Sequence, residues 1–317
     1  MIEITIYNNG RKYYPAVLEG ISWSTERQGT PSTLNFTVYQ DGKLKMEEGN
    51  AVSFLYDGQK VFFGFIFTIK RTSDRTLDIT AYDQLRYLKN KDTYSYVNKS
   101  TSELVKMIAA DFHLNTGKIE DTAYKMSRNE DNTSLFDMII NSIRETTLVS
   151  KKLYVLYDDF GHLSLRDFSK MRLNLKINSA TAEDFTYSTS IDTNTYNKIK
   201  LIYDNNSGSR ETFVERDIDG MNKWGVLQYF ETINDASSGK QKAKTLLSMY
   251  SMTSKEFSIK NCFGDVGARA GFCIFVDLNL DVNTMFKGYM LIEKAKHTFE
   301  NGSHFMDLTL KGADFNS

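Results

Sequence analysis

Cysteine, proline and histidine are all scarce in this chain of 317 residues, which contains two, two and four of them. Cys262 and Cys273 alone cannot supply the four ligands of a structural zinc site. Cys273 lies in the apolar segment GFCIFV, where a free thiol behaves as a small hydrophobic side chain. A disulfide-stapled scaffold is therefore not expected, whereas the low proline content and the abundant tyrosine and phenylalanine favour β-sheet.

The chain also has no large excess of positive or negative charge, since it contains 39 lysines and arginines and 40 aspartates and glutamates. No long-range field draws such a chain to nucleic acid or to an anionic membrane, so we predict no nucleic-acid sequence recognition. The most apolar run, VFFGFIF at residues 61–67, is far shorter than a membrane span, and the N-terminus lacks a signal-peptide pattern. We predict no membrane span and synthesis in the cytoplasm.

Complete nucleotide-binding and hydrolase motifs are absent as well. In SSGKQKAKT, Gln241 replaces the Ser or Thr of a P-loop, and Asn234 stands where its first glycine belongs. The segment GDVGARAG precedes a strand and cannot present helix amides to a pyrophosphate. Two placed carboxylates would suffice for a glycosidase, so that alternative stays open. We predict no catalytic residue, no cofactor, no metal ligand and no enzymatic activity.

Two of the four histidines lie close together in KHTFENGSHFMD, residues 296–307. Asn301-Gly302 is a strong type I′ hairpin signal, and in that register Phe299 faces His304 and His297 faces Met306. Alternation then predicts one mostly apolar face, with Asp307 on the other face; the apolar face comprises Leu291, Ala295, His297, Phe299, His304, Met306, Leu308 and Leu310. We interpret both histidines as isolated structural residues and expect their exchange for glutamine to leave assembly intact.

The order of patterns along the chain predicts a mixed α+β, β-rich fold in three parts. Residues 1–91 read as an antiparallel β-barrel-like module. Residues 92–175 read as an α+β insert, whose first helix has Ser100 and Glu103 at capping-box spacing. Residues 176–317 read as a second β-barrel-like module with one inserted helix at about 235–252, capped by Asp235.

An internal repeat relates the two β regions. GNAVSFLY, VFFGFIFTIK and LDITAYD follow one another in the first region, and GFCIFVDL, MFKGYMLIEK and MDLTLKGAD in the second. An aromatic residue shortly before Gly64 or Gly288 occurs in both. We therefore predict that residues 49–83 and 271–314 share one strand order.

Trp224, in NKWGVLQYF, is the strongest candidate contact residue, and we place Tyr229 with it as a possible interface. An aromatic beside alternating Val226, Gln228 and Phe230 also suits a strand edge. Core packing of Trp224 is the alternative.

The whole chain resembles the baseplate hub proteins of contractile phage tails, in particular those of Gram-positive prophages and tail-like bacteriocins. The segments that carry the likeness are, in this order, LDITAYDQLRYLKNK, TSELVKMIAADF, YNKIKLIYDNN and GYMLIEKAKHTFENGSHFMDLTLKG. The resemblance implies a structural homotrimer, in which two β-barrel domains per chain form a six-fold-like ring. It also implies binding to a tail tube protein, a spike protein and other baseplate proteins, with assembly in the bacterial cytoplasm.

Two other functions remain open at this stage. A cell-wall glycan-binding or hydrolysing tail protein would need exposed aromatic platforms or paired acids in a cleft. Another ring-forming tail component would carry one barrel instead of two.

Overall fold

This computed structural model describes residues 1–40, 42, 44–179, 181–182, 184–204, 209–233, 236–280 and 285–312. The chain divides into two compact units, each treated separately below. The larger unit contains Met1–Thr147, Lys152–Thr186 and Phe257–Ser317, and the smaller contains Leu148–Lys151 and Tyr187–Glu256. The three-domain division at residues 91/92 and 175/176 stays a prediction.

The N-terminal region consists of strands, as its alternating apolar residues predict. They are β1 (Ile2–Asn8), β2 (Arg11–Tyr13), β3 (Ile21–Glu26), β4 (Thr33–Tyr39), β5 (Ala51–Tyr56), β6 (Gln59–Arg71) and β7 (Thr76–Tyr82). A 3-10 helix, Gln84–Lys89, follows where the apolar spacing changes, and Asp83 caps it through the Leu85 amide. We did not predict β3 from its segment ISWSTE.

The next region has helices packed beside short strands. Its elements are β8 (Lys91–Ser100), α1 (Thr101–Asp111), β9 (Thr116–Ile119), β10 (Lys125–Ser134), α2 (Leu135–Ser150), β11 (Tyr154–Asp158), β12 (Leu163–Asp167) and a 3-10 helix, Phe168–Lys170. The predicted capping box at α1 is confirmed, because the side chains of Ser100 and Glu103 each accept the other's backbone N–H. Leu104, Ile108 and Ile139 belong to its buried core.

The remaining chain returns to mostly strands. Its elements are β13 (Arg172–Asn178), β14 (Asp184–Ser190), β15 (Lys198–Asp204), β16 (Arg210–Arg216), α3 (Ile218–Trp224), β17 (Gln228–Thr232), α4 (Gly239–Tyr250), β18 (Ser254–Phe263), β19 (Cys273–Asn279), β20 (Met285–Glu300) and β21 (Ser303–Gly312). The predicted helix near 235–252 is therefore present as α4. Its predicted cap, Asp235, lies outside the described residues.

Thirteen of these strands form one sheet, whose main path runs β14-β18-β21-β20-β3-β4-β7-β6-β5-β1-β2, with β19 also paired to β20 and β13 to β19. Both predicted modules contribute to it. A β-rich α+β fold is thus established, while a division into two barrels stays a prediction.

The smaller unit is built on a three-stranded sheet of order β16-β15-β17. Helix α4 packs on the face that carries Ile199 and Leu201, and Ala243 and Leu246 from the helix complete that core. The other face is not part of this core and bears several lysine and arginine side chains, including Lys198 and Lys200.

The predicted repeat is confirmed as a shared strand order in the described residues. Strands β5, β6 and β7 form one antiparallel meander, and β19, β20 and β21 form another. Gly64 lies opposite Val52 in the first, and Gly288 lies opposite Val276 in the second. Each middle strand also has a one-residue irregularity where it pairs with the third strand.

The hairpin of β20 and β21 is confirmed in its predicted register, with positive φ at both Asn301 and Gly302. One member of the predicted apolar face is wrong. The extra residue Glu293 reverses the alternation, so Leu291 pairs with Lys311 instead of sharing the face of Leu310. Leu291 is buried in a different core cluster, with Val155 and Cys273.

Candidate functional site

The most unusual buried feature is a hydrogen-bonded pair of histidines in the larger unit. The Nδ1 atom of His297 lies 2.9 Å from Nε2 of His304, and Nε2 of His297 lies 2.9 Å from the carbonyl oxygen of Ala268. A carbonyl oxygen only accepts, so His297 donates from Nε2. With His297 neutral, its Nδ1 accepts from the Nε2–H of His304, and both imidazoles can be neutral in this arrangement.

Burial supports the same protonation state. Burial in the sheet lowers the pKa of His297 to about 3, and the neighbouring His304 and Arg269 add to that effect. Burial also lowers the pKa of His304 to about 4, partly opposed by Asp265. The ring of His297 stacks on Trp23 at 4.7 Å, and that of His304 on Phe299 at 4.2 Å.

The interpretation of the two histidines as isolated residues is therefore wrong. Strand alternation correctly places both histidines on one face of the sheet. The backbone oxygen of Ala268, which accepts from His297, lies 29 positions away in the chain and was not predicted. The described part of the chain contains no group of three or more His, Cys, Asp or Glu side chains that could hold a metal ion.

A second buried polar group joins two carboxylates and an arginine. Asp83 accepts the backbone N–H groups of Ser32 and Leu85, at 3.1 and 3.0 Å. Asp158 accepts from the Gly161 amide at 2.6 Å, and Arg269 donates to the backbone oxygen of Asp158 at 2.7 Å.

Asp83 and Asp158 resemble a catalytic pair of acids only because the pKa of each is raised. Burial raises the pKa of Asp83 well above its ordinary value, and the nearby charge of Asp158 adds to this. Burial also raises the pKa of Asp158. Their exposed fractions are 1% and 3%, and backbone donors occupy them, so no substrate can reach them in this conformation. Both carboxylates therefore stabilise the backbone segments whose amides they accept from.

Local sequence patterns did not identify these three residues as a buried cluster. Asp83 immediately precedes a helical pattern and Asp158 begins a turn that ends in glycine, which are ordinary capping signals. Arg269 carries no local signal at all, because its partners Asp158, Tyr157 and Trp23 are far away in sequence.

The two cysteines are buried thiols. The Cys262 thiol donates to the backbone oxygen of Met306 at 3.2 Å, and both cysteines are free. Burial raises the pKa of Cys262 to about 12 and that of Cys273 to about 11. Both thiols are thus protonated and unreactive at neutral pH.

The predicted interface residues lie in the smaller unit in different settings. Trp224 is the last residue of helix α3, half-buried, with the Lys223 ammonium 5.5 Å from its ring. The suggested strand edge is wrong for Trp224, because Gly225 ends the helix and β17 begins only at Gln228. Tyr229 packs among Tyr196 and Tyr250, with ring centroids 5.4 and 5.8 Å away.

Residues 21–311 match the family model described as YQBQ-like. The chain belongs to the YQBQ-like family. This YQBQ-like chain is also 27% identical over 321 residues to the phage-like element PBSX protein XkdQ of Bacillus subtilis, covering 97% of the chain and 96% of the relative. The predicted membership in a phage baseplate-type family is confirmed.

Two solved structures have a similar fold. A 43 kDa tail protein of prophage MuSo2 from Shewanella oneidensis has a TM-score of 0.70 at 12% identity, over 97% of the YQBQ-like chain and 98% of that protein. The E. coli c3393 protein, a type VI secretion component described as structurally similar to the T4 tail proteins gp27 and gp5, has a TM-score of 0.58 at 12% identity, over 99% and 78%.

The YQBQ-like chain therefore shares its fold with a prophage tail protein and with a type VI secretion component. None of the described helices has the length and apolar character needed to cross a bilayer.

Proposed function

We propose that this protein is the structural baseplate hub of a contractile phage tail or a phage-tail-like particle. It assembles as a homotrimer that joins a six-fold tail tube to a three-fold spike. The single observation that carries this proposal is the repeated meander, because one chain presents the same strand order and the same glycine pairing twice.

Symmetry explains why a repeat suits this position. Six tube subunits need six similar partners, whereas a trimeric spike needs three. Three chains with two meanders each supply six binding partners for the tube and three for the spike. No binding surface of the tube or of the spike is then left without a partner. Each meander is then the nucleus of one β-barrel-like module, and the modules alternate around a central channel.

The helical region between them has a separate part in this arrangement. Residues from about 92 to 175 lie outside the six-fold-like layer and support three-fold contacts with the spike and other baseplate proteins. Trp224 and Tyr229 are interface residues of the smaller unit, and assembly takes place in the bacterial cytoplasm before the particle is complete.

The protein acts without catalysis. The two strongest acid candidates, Asp83 and Asp158, are enclosed and bonded to backbone donors. A cell-wall hydrolase is the rival function, and digestion of purified cell walls by this chain would favour it over the hub.

Native mass spectrometry of the chain, alone and with the spike protein of the same phage element, tests the oligomer. We expect a trimer that is stabilised by the spike, because a partner that binds only the assembled ring favours it by mass action. A monomer in dilute solution without the spike agrees with the proposal. A dimeric or hexameric ring in the intact baseplate, seen by electron microscopy, contradicts it.

A further inference from the structure

The outer face of the β20–β21 hairpin carries a pair of stacked aromatic rings. Phe305 lies on the face of β21 opposite to His304 and Met306, because side chains alternate along the strand. Phe263, the last residue of β18, packs on it with ring centroids 6.3 Å apart and ring planes 27° from parallel. Phe263 is 67% exposed, so an apolar surface of two rings is open to solvent in the larger unit.

Phe305 also lines a cleft of about 540 Å³, a volume within the range of about 300–1,000 Å³ that small-molecule sites occupy. Thr298 lies directly across from Phe305, and Ser22 on β3 lies across from Thr298. The polar residues of the cleft are Asn261, Thr298, Glu300, Asn301, Ser303 and Asp307. The rings therefore lie inside a border of hydroxyl, amide and carboxylate groups.

A smaller groove continues the cleft along the same face of the sheet. Asp307 lines both, and the groove, about 250 Å³ in volume, reaches across β20 to β3 and to the loop before β4. Its hydroxyl groups come from Ser24, Thr25, Thr30, Thr33 and Thr309. Its charged residues Lys294 and Glu26 are joined by a salt bridge at 2.9 Å. A ligand made of linked units can thus extend from the rings along the sheet.

The charges beside the rings balance each other. Lys260 is paired with Asp307 at 3.1 Å, and Asp307 also accepts the backbone N–H of Asn261 at 3.0 Å. Lys296 and Glu300 add one exposed positive and one exposed negative charge on this face. A phosphate-bearing polymer binds where cations are in excess, so this face suits an uncharged ligand.

Stacked rings with such a border suit a sugar. The C–H groups on one face of a pyranose ring pack on an aromatic ring, while the hydroxyl groups at its edge exchange hydrogen bonds with polar side chains. Thr298, Glu300 and Ser303 are available for these bonds, since no hydrogen bond or ion pair engages their side chains within the described part of the chain. We propose that this face binds an uncharged oligosaccharide, with Phe263 and Phe305 as the stacking platform. The inference goes beyond the hub function and does not depend on it, because binding a sugar needs no trimer.

Saturation-transfer NMR titrations of the full chain with chitotetraose and with cellotetraose, two uncharged oligosaccharides, test the inference. Phe263→Thr and Phe305→Thr each remove a ring, and Phe263→Tyr keeps it. Phe230→Thr is the matched control, because Phe230 is a 54% exposed ring on strand β17 of the smaller unit. Thermal unfolding shows whether each variant is folded, and the exposed Phe263 decides the outcome if Phe305→Thr is not.

We expect saturation to be strongest on the ring C–H protons of the sugar, and binding to be the same at low and high salt. Phe263→Thr and Phe305→Thr should each weaken binding about tenfold, whereas Phe263→Tyr and Phe230→Thr bind as the original chain does. Binding of neither oligosaccharide, or equal affinities of Phe263→Thr and the original chain, overturns the inference.

Two other occupants have their own outcomes. Tighter binding of single-stranded DNA, lost at high salt, identifies a phosphate polymer as the ligand and overturns the inference. A trimer that Phe263→Thr dissociates identifies a second copy of the chain as the occupant and also overturns it, while the hub function stands. If the original chain binds the sugar but forms no trimer with the spike, the hub function alone fails.

Discussion

Acid should weaken the larger unit through His297, and His297→Gln should remove this contribution, while that of His304, whose pKa is also lowered, remains in all variants. Burial lowers the pKa of His297 to about 3, whereas an unfolded histidine titrates near 6.5. Between these values the unfolded chain binds one more proton than the native chain, so native stability falls as the pH falls. From pH 7.5 to 4.5 the loss amounts to about 2.7 kcal/mol, because the pH ends two units below the unfolded pKa and each unit contributes about 1.4 kcal/mol.

Glutamine suits this position because it also has one acceptor and one donor group, but it does not titrate. His304 can still donate to it, and it can still donate to Ala268. The pH-dependent loss in His297→Gln should therefore be smaller than in the original chain by about 2.7 kcal/mol. We expect assembly to remain intact.

Chemical denaturation at pH 7.5 to 4.5 measures this, with fluorescence reporting on Trp23 in a Trp224→Phe background, since the chain has two tryptophans. His113→Gln is the matched control, because it makes the same exchange at an exposed position outside the buried pair. Asp83 and Asp158 contribute with the opposite sign, as their raised pKa values favour the native state in acid, but they are common to all variants. Parallel pH curves for His297→Gln and the original chain would refute the reasoning.

Three further outcomes follow from single contacts. Gly64→Ala should cost at least about 2 kcal/mol of stability, because the added methyl group overlaps the Tyr82 carbonyl oxygen. Gly288→Ala should be nearly neutral, because the atom nearest to its added methyl group is 3.7 Å away. Equal melting temperatures of the two variants would contradict this. Glu120→Gln should cost about 2 kcal/mol of stability at pH 7 and little near pH 2. Burial would raise the pKa of Glu120, but hydrogen bonds from the Asp167 amide, Lys170 and Arg166 outweigh it and lower the pKa to about 2. A pH-independent difference between the variant and the original chain in urea unfolding would contradict this. Ser100→Ala should cost about 1 kcal/mol by removing the cap of α1, with Ser100→Asp as the control that restores it in thermal unfolding.

Local patterns predicted most of the strands and helices. The hairpin at Asn301-Gly302 and the capping box at Ser100 depend on residues within a few positions of one another, so both can be predicted from the sequence. The repeated meander can be predicted because each of its two segments carries the same order of local patterns. The same holds for α4, which was predicted at about 235–252 and extends from Gly239 to Tyr250.

Features that depend on distant partners could not be predicted. Strand β3 is short, with serines at alternate positions and Thr25 on its buried face, and its place in the sheet depends on pairing with β20. The bulge at Glu293, which moves Leu291 to another core, has no signature in the surrounding residues. The partner of His297 is a backbone oxygen 29 positions away.

The pairing of β3 with β20 has a consequence for how the protein folds. Arg27 and Glu293 are joined by a salt bridge across 266 positions of the chain, at the place where β3 meets β20. During synthesis, β3 emerges early and its outer edge stays unpaired until nearly the whole chain has left the ribosome. Such distant pairing slows folding and exposes a strand edge that can aggregate. Only a chain synthesised through β20 can close this sheet, so a prematurely terminated product lacks the complete folded surface.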